Sequence, residues 1–288
     1  MPRGRIGAAG AASLCALLAL LPGSTSAPAA ERAAPAAPWT VAKGGDWKEL
    51  EPGLELLEES LDRRRREDDA AALVVLKVTA VRIDPKRFVL AVRMNPASDG
   101  RTLADVARAD KVPVVVNGAY FGKEDEPVTL LVSGGRALSR FNRNLPNGGV
   151  FALDGKGRAV VVPFKDFKEP GPGADFAVQN SPLLVSGGKA AYKDPRPARH
   201  RRTAIGVGAD GRIVIAVCDS EITLDEWAAV LASGAPGGLG LDSALNLDGG
   251  PSTGLAVEHE KARVRVPSGR LIPQALTVAR REKPPANK

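Results

Sequence analysis

The chain has 288 residues, with 40 Lys+Arg, 33 Asp+Glu, 31 Gly, 23 Pro, two Cys and 4% aromatic residues. At 44% apolar and 25% charged it can bury a core, which excludes a disordered tail or a collagen-like repeat. Two cysteines, Cys15 and Cys218, exclude a disulfide-stapled scaffold and a zinc ribbon.

The chain opens on Arg3 and Arg5, an apolar run from Ala8 to Leu21, and the small residues Thr25-Ser26-Ala27. That order predicts a secretory signal over 1–27, and hence a secreted, periplasmic or cell-envelope protein with no stable membrane span after cleavage. An uncleaved anchor is the alternative reading. Cys15 leaves with the signal, and Cys218, in the run Ile213–Cys218, is expected as a buried thiol. Residues 28–45 are Ala/Pro-rich and read as a linker, followed by one domain over 46–281 and a flexible tail over 282–288. Arg63–Arg66 is flanked by Glu67, Asp68 and Asp69 and lacks interleaved aromatics, so it reads as a solvated loop and not as a nucleic-acid surface.

From residue 73 onward strands dominate. Runs over 73–83 and 88–93 bracket a turn at Asp84-Pro85-Lys86. Thr102 with Asp105 and Thr223 with Glu226 form capping boxes that open helices through about Asp110 and Ser233. The runs 112–116 and 244–247 are continuously apolar, as buried central strands are. Hairpin turns are expected at Ser133-Gly134-Gly135, Asp154–Gly157, Ser186-Gly187-Gly188 and Ala209–Arg212. Together these predict an α+β fold, a single domain around a mixed, largely antiparallel sheet with a few helices.

Three apolar strands run into polar residues: Asn117, Asp219, and Asp248 with its loop Gly249-Gly250-Pro251-Ser252-Thr253. A strand end fixes a side chain and frees the next loop to shape a pocket, although Asn-Gly and Asp-Gly are also common turn dipeptides. A two- or four-residue turn at 209–212 places Arg202 opposite Asp219, either as a cross-strand ion pair or as a fork for an anion. The Asp248 loop offers N–H groups and two hydroxyls to an anionic oxygen, but it lacks the Lys of a phosphate-binding P-loop. His200 and His259 read as surface residues, and Phe121 as core. No cofactor is expected. The alternative, a divalent metal held by Asp242 and Asp248, has no recognised ligand spacing behind it.

These segments resemble the phosphodiester glycosidase family from about Trp47 to Val278. The resemblance rests on Leu50-Glu-Pro-Gly53, the strand pair around Asp84-Pro85, Asn117-Gly-Ala-Tyr-Phe121, Pro127 with the Gly134-Gly135 hairpin, Gln179-Asn-Ser-Pro-Leu-Leu184, Arg202-Thr-Ala-Ile-Gly206, Thr223-Leu-Asp-Glu226 and Ala244-Leu-Asn-Leu-Asp-Gly-Gly250 with Ser252. Ala119 stands where the family has a second Gly, Pro251 where Gly is common, and Ser220-Glu221 where Gly-Arg is frequent. The resemblance implies hydrolysis of a sugar-1-phosphodiester to free sugar and a phosphomonoester, with an anionic sugar-phosphate as the partner. A carboxylate would face the sugar, with an Arg and N–H donors at the phosphate. It implies Asp219 and Asp248 as the carboxylate pair and Arg202, Ser252 and Thr253 at the phosphate. Asn117, Tyr120, Gln179, Thr203, Asn246, Gly249 and Gly250 would line the substrate. A phosphodiesterase cutting the P–O bond, or a non-catalytic binder of wall glycans or polyanions, are the competing classes.

Overall fold

A computed structural model describes residues 39–63, 75–94, 100–167, 173–195 and 197–282. The signal, residues 28–38 of the linker, Arg64–Arg66 and the tail beyond Glu282 lie outside the described residues. The expected linker ends earlier than predicted. Trp39–Gly44 is a strand paired along Leu54–Arg63, and Trp39 is buried. The Ala/Pro bias upstream concealed a short segment whose Trp39 and Val41 alternate toward a core.

The described strands form three sheets, and every pairing is antiparallel. The described residues are mostly β, 51% strand against 10% helix, so the expected mixed sheet is corrected to antiparallel sheets with minor helix. Hairpins supply most connections, and a hairpin can only join antiparallel strands. The nine-stranded sheet runs Trp39–Gly44, Leu54–Arg63, Val75–Ile83, Ile213–Ile222, His200–Gly208, Leu241–Asn246, Leu183–Ser186, Lys189–Ala190, with Lys48–Glu51 joining Leu54–Arg63 off this path. The second sheet runs Ala159–Pro163, Gly149–Asp154, Ala174–Asn180, Leu131–Ser133, Arg136–Ala137. The third runs Ala262–Val266, Leu255–His259, Val114–Asn117, Gln274–Arg280, Phe88–Met94. All four expected hairpin turns are present. The turn at Asp84-Pro85-Lys86 is present as well, but it carries the chain from the first sheet to the third, so its flanking strands do not pair.

The main core lies where the three sheets face one another: Val81, Ile205, Ile215 and Leu245 from the first, Phe151, Phe176 and Val178 from the second, Val114, Val116 and Leu276 from the third. Alternation sends Ala204, Ala216, Cys218 and Ala244 to the opposite face of the first sheet. Helix α2 (Leu224–Ala232) covers that face through Trp227, Val230 and Leu231. Helix α1 (Leu103–Ala109) covers the outer face of the third sheet. Both helices begin at the predicted capping boxes. Among the described residues no helix is long and apolar enough to cross a membrane.

Candidate active site

Val114–Asn117 is central in its sheet and Leu241–Asn246 is interior to the first, so both deliver a polar residue from a buried strand. Their ends meet. Asn117 is fully buried and donates from Nδ2 to the Asp248 carbonyl at 2.8 Å. Its Oδ1 accepts from Thr203 Oγ1 at 2.8 Å and from the Gly254 N–H at 3.1 Å. The Thr253 hydroxyl lies 3.3 Å from the same Thr203 oxygen. Asn117, Thr203 and Thr253 therefore form a buried brace under the Asp248 loop and face one another. A buried polar group left without partners would cost roughly 1–3 kcal/mol, which is why the brace is closed.

The Asp248 carboxyl is held by its own loop. Oδ1 accepts the Gly249 N–H at 2.9 Å, and the buried Ser252 hydroxyl bonds to the same carboxyl. Burial raises the pKa of Asp248, while these two hydrogen bonds and the charge of Arg270 act in the lowering direction. The expected N–H cradle is corrected here. Ser252 N–H bonds the Gly249 carbonyl at 3.1 Å and Thr253 N–H bonds the Gly250 carbonyl at 3.2 Å, so turn closure consumes the donors. Gly249 lies against strand His200–Gly208, where a Cβ would stand 3.0 Å from the Arg201 carbonyl and 3.9 Å from Arg202 Cδ.

Tyr120 senses the charges of both Asp248 and Arg202, and burial, before either charge, pushes its phenol up to about 12. Its hydroxyl donates to the Ser181 carbonyl at 2.7 Å and accepts from Asn246 Nδ2 at 3.2 Å. Asn246 also donates to the Ser181 carbonyl at 2.9 Å, which fixes the orientation of its amide. Asn246 Oδ1 then remains buried with no hydrogen-bond partner. Arg202 shares the face of the sheet with Asn246 and is 8% exposed. Its Nε bonds the Ile222 carbonyl at 3.0 Å and its Nη2 the Ala198 carbonyl at 2.6 Å. Among the described residues it forms no ion pair, and burial lowers its pKa. A buried guanidinium with no carboxylate in ion-pair contact can receive an anion, and the charge of Asp194 also reaches Arg202.

Two predicted roles move. Arg202 pairs with Cys218 and not with Asp219, because the hairpin closes on three residues, Ala209-Asp210-Gly211, with Gly211 at φ +78 and a Gly211 N–H to Gly208 carbonyl bond of 2.9 Å. A three-residue loop ending in a left-handed Gly shifts the register by one relative to a two- or four-residue loop. Asp219 instead pairs with Arg201, Nη2 to Oδ1 at 2.6 Å, with side chains 38% and 21% exposed. No hydrogen bond among the described residues joins Asp219 to the Asp248 cluster. Gln179 is fully buried and spends its amide on backbone: Oε1 accepts the N–H groups of Leu130 at 3.1 Å and Asn142 at 2.8 Å, and Nε2 donates to the Asn142 carbonyl at 2.7 Å. It braces a loop and presents nothing to a ligand.

Asp242 is exposed at the start of Leu241–Asn246 while Asp248 leaves its far end, so extended backbone separates them by about 20 Å. Among the described residues no three His, Cys, Asp or Glu gather as a metal site. Cys218 is buried as expected, with its thiol pushed up to about 12 by burial. His200 is exposed as expected. His259 is not at the surface, since its side chain is 5% exposed and faces Glu51 at 3.6 Å. Phe121 is half-buried beneath the Arg270 guanidinium, 4.5 Å from its ring.

Sequence reasoning missed Asn180, Arg201, Arg270 and Gln274. Asn180 donates to the Asn246 carbonyl at 2.9 Å and accepts the Tyr120 N–H at 3.4 Å. Gln274, also fully buried, holds the Ala119 and Tyr120 carbonyls at 3.2 Å each. The Asn180 neighbour of Gln179 was the available signal; Arg270 and Gln274 stand in a segment with no motif of its own. The Ala119 departure is absorbed, since its methyl lies in the main core.

Comparison with known proteins agrees with this architecture. The phosphodiester glycosidase family model matches residues 110–279. The catalytic domain of zebrafish N-acetylglucosamine-1-phosphodiester alpha-N-acetylglucosaminidase, auto-inhibited by its pro-peptide, superposes with a TM-score of 0.62 at 17% identity, over 83% of this chain and 87% of that one. A hypothetical protein from Synechocystis gives 0.59 at 16% identity over 80% of this chain, which spans 62% of the Synechocystis chain. At these identities the two structures share the fold. No curated protein sequence matches the chain. With the family model spanning more than half its length, the chain belongs to the phosphodiester glycosidase family.

Proposed function

We propose that the protein is an exported hydrolase that cleaves the glycosidic bond of a sugar-1-phosphodiester. One observation carries this reading: a half-buried carboxyl, Asp248, and a buried guanidinium that forms no ion pair among the described residues, Arg202, both act on the charge of one tyrosine, Tyr120. The reaction needs both charges. As the bond from the anomeric carbon to the phosphate oxygen breaks, positive charge grows on the carbon and negative charge on the departing phosphate.

Asp248, as carboxylate, faces the anomeric carbon as nucleophile or as the base that activates water. Arg202, held by two backbone carbonyls, receives the phosphate. Asn246 Oδ1 accepts a substrate hydroxyl, which ends its isolation. Tyr120 sets the orientation of Asn246, and Gly249 with Gly250 leaves room for the substrate beside Arg202. A phosphate diester oxygen is a good leaving group, so no strong acid is required. Asn117, Thr203, Ser252 and Thr253 act as positioning residues for Asp248. Asp219 acts at the rim through Arg201. The water oxygen ends on the sugar, and the phosphate leaves as a monoester.

Hydrolysis in oxygen-18 water tests the reading. The purified chain, with and without chelator, is incubated with a panel of sugar-1-phosphodiesters. Label in the released sugar is expected. Label in the phosphate would instead identify a phosphodiesterase that cuts the P–O bond, and binding without turnover would identify a non-catalytic binder.

A further inference from the structure

Arg270 sits on a turn over 267–271 that is fastened to the Asp248 loop. The Gly269 N–H donates to the Pro251 carbonyl at 2.7 Å, and a Cβ on Gly254, just beyond Thr253, would stand 3.0 Å from the Ser268 nitrogen. The Ser268 hydroxyl closes the turn by donating to the Arg270 carbonyl at 2.7 Å, and Arg201 Nη2 holds its start through the Pro267 carbonyl at 2.9 Å. The charge of Arg270 reaches the Asp248 carboxyl.

From this turn the Arg270 side chain crosses to the segment that follows Tyr120. Its guanidinium lies 4.5 Å over the ring of Phe121, and its Nη2 meets Asp125 Oδ1 at 3.4 Å. A guanidinium resting on a ring face keeps few orientations and loses less freedom when it binds an anion. The contact with Asp125 is the weaker restraint. It is a single contact, longer than a charge-assisted hydrogen bond, and the two side chains are 47% and 50% exposed. Asp125 is itself presented by a closed loop: its N–H donates to the Gly122 carbonyl at 3.3 Å, and the Gly122 N–H donates to the Glu126 carbonyl at 2.8 Å. The neighbouring Glu126 carboxylate turns back on that loop and accepts the Glu124 N–H at 3.0 Å. A phosphate offers a guanidinium two oxygens at fork spacing, which Asp125 does not.

We propose that Arg270 is a second phosphate-binding residue of the Asp248 site, at its rim, and that a phosphate oxygen of the substrate displaces Asp125 from it. Asp125 is then a competitor for the guanidinium and sets how readily the phosphate is taken. This assignment rests on the proposed reading of the Asp248 site and adds to it one cation and the carboxylate that tunes it.

The two ends of one ion pair should therefore respond in opposite directions. Inorganic phosphate is titrated into the full chain, into Arg270→Gln and into Asp125→Asn, with binding read by calorimetry. Arg270→Gln is expected to weaken phosphate about tenfold, the scale of a hydrogen bond to a charged group. Asp125→Asn is expected to tighten it about two- to fivefold, the scale of an exposed ion pair. Asn suits the left-handed backbone at position 125, φ +62, so the loop keeps its shape. In the double variant the tightening is expected to vanish, since no Arg270 remains to be released. Glu124→Gln removes an exposed charge one residue away and is expected to tighten phosphate less than Asp125→Asn does. Weaker binding in both single variants, the mark of a pair that only ties two loops together, overturns the proposal. Unchanged binding in both, tightening that survives in the double variant, or a wild-type chain that binds no phosphate overturns it too. On a sugar-1-phosphodiester the same opposed shifts are expected mainly in KM. If the wild-type chain cleaves no such substrate while phosphate binding responds as expected, the hydrolase reading fails and the Arg270 contact stands.

Discussion

Asn117 donates to the carbonyl of Asp248 at 2.8 Å and so fastens the end of a strand in the third sheet to the loop leaving the first. The same amide accepts Thr203 and Gly254, so one side chain sets the height of the Asp248 carboxyl above the core. Asn117→Ala strands a buried hydroxyl and a buried N–H. Chemical denaturation is expected to show a loss of about 2–4 kcal/mol, with kcat falling because the loop is no longer held.

The two aspartates separate by environment. Asp248→Asn removes a half-buried carboxyl from the polar cluster and is expected to lower kcat by about 10³ or more with the melting temperature retained. Asp219→Asn breaks a solvent-facing pair with Arg201 and is expected to keep kcat within about tenfold. Equal losses in steady-state kinetics would restore Asp219 as a catalytic partner.

The acid limb of the kcat/KM profile is expected above the ordinary Asp pKa of 3.8, because burial raises Asp248 and its ionised form is the active one. Ser252 bonds to that carboxyl and pulls its pKa down. In Ser252→Ala the limb moves to higher pH. A profile unchanged by this substitution would show that another group governs the limb.

Arg202→Gln removes the charge but keeps much of the side-chain length. A loss of about 10²–10³ in kcat/KM is expected, the scale seen when a preorganised donor at a developing negative charge is deleted. Arg202→Lys is expected to recover only part of it, since an ammonium cannot meet two phosphate oxygens as a fork. Inorganic phosphate, titrated as a competitive inhibitor, should bind the wild type more tightly than either variant.

Glu59 lies far from this chemistry and bears on stability. It is 6% exposed, its Oε1 has no partner, and burial raises its pKa from 4.5 to about 7. A raised folded-state pKa means the native chain holds the proton longer than the unfolded one. The associated stability is full below about pH 4.5 and is lost as pH rises toward 7, by about 3 kcal/mol at most. Glu59→Gln is expected to remove that fall. Urea denaturation of both chains at pH 5 and pH 8 checks it, and parallel curves would count against the assignment.

Local rules made much of the molecule legible in its sequence. Thr102-Asp105 and Thr223-Glu226 start helices because a side chain three residues on completes each cap, and Gly-containing turns fix hairpins within a few residues. Asn117 and Asp248 were recognisable because a polar residue after a buried apolar run needs partners. Tertiary structure decided the rest. One left-handed glycine, Gly211, moved the register and gave Asp219 to Arg201 instead of Arg202. Closure of a single turn consumed the N–H groups of Ser252 and Thr253, and packing between sheets turned Gln179 inward onto Asn142. The sequence alone determined which strands and polar residues the protein has, because those depend on neighbours along the chain. Which polar groups remain free to meet a ligand depends on partners brought from distant segments, such as Asn142 for Gln179 and Arg201 for Asp219, and only the folded chain supplies them.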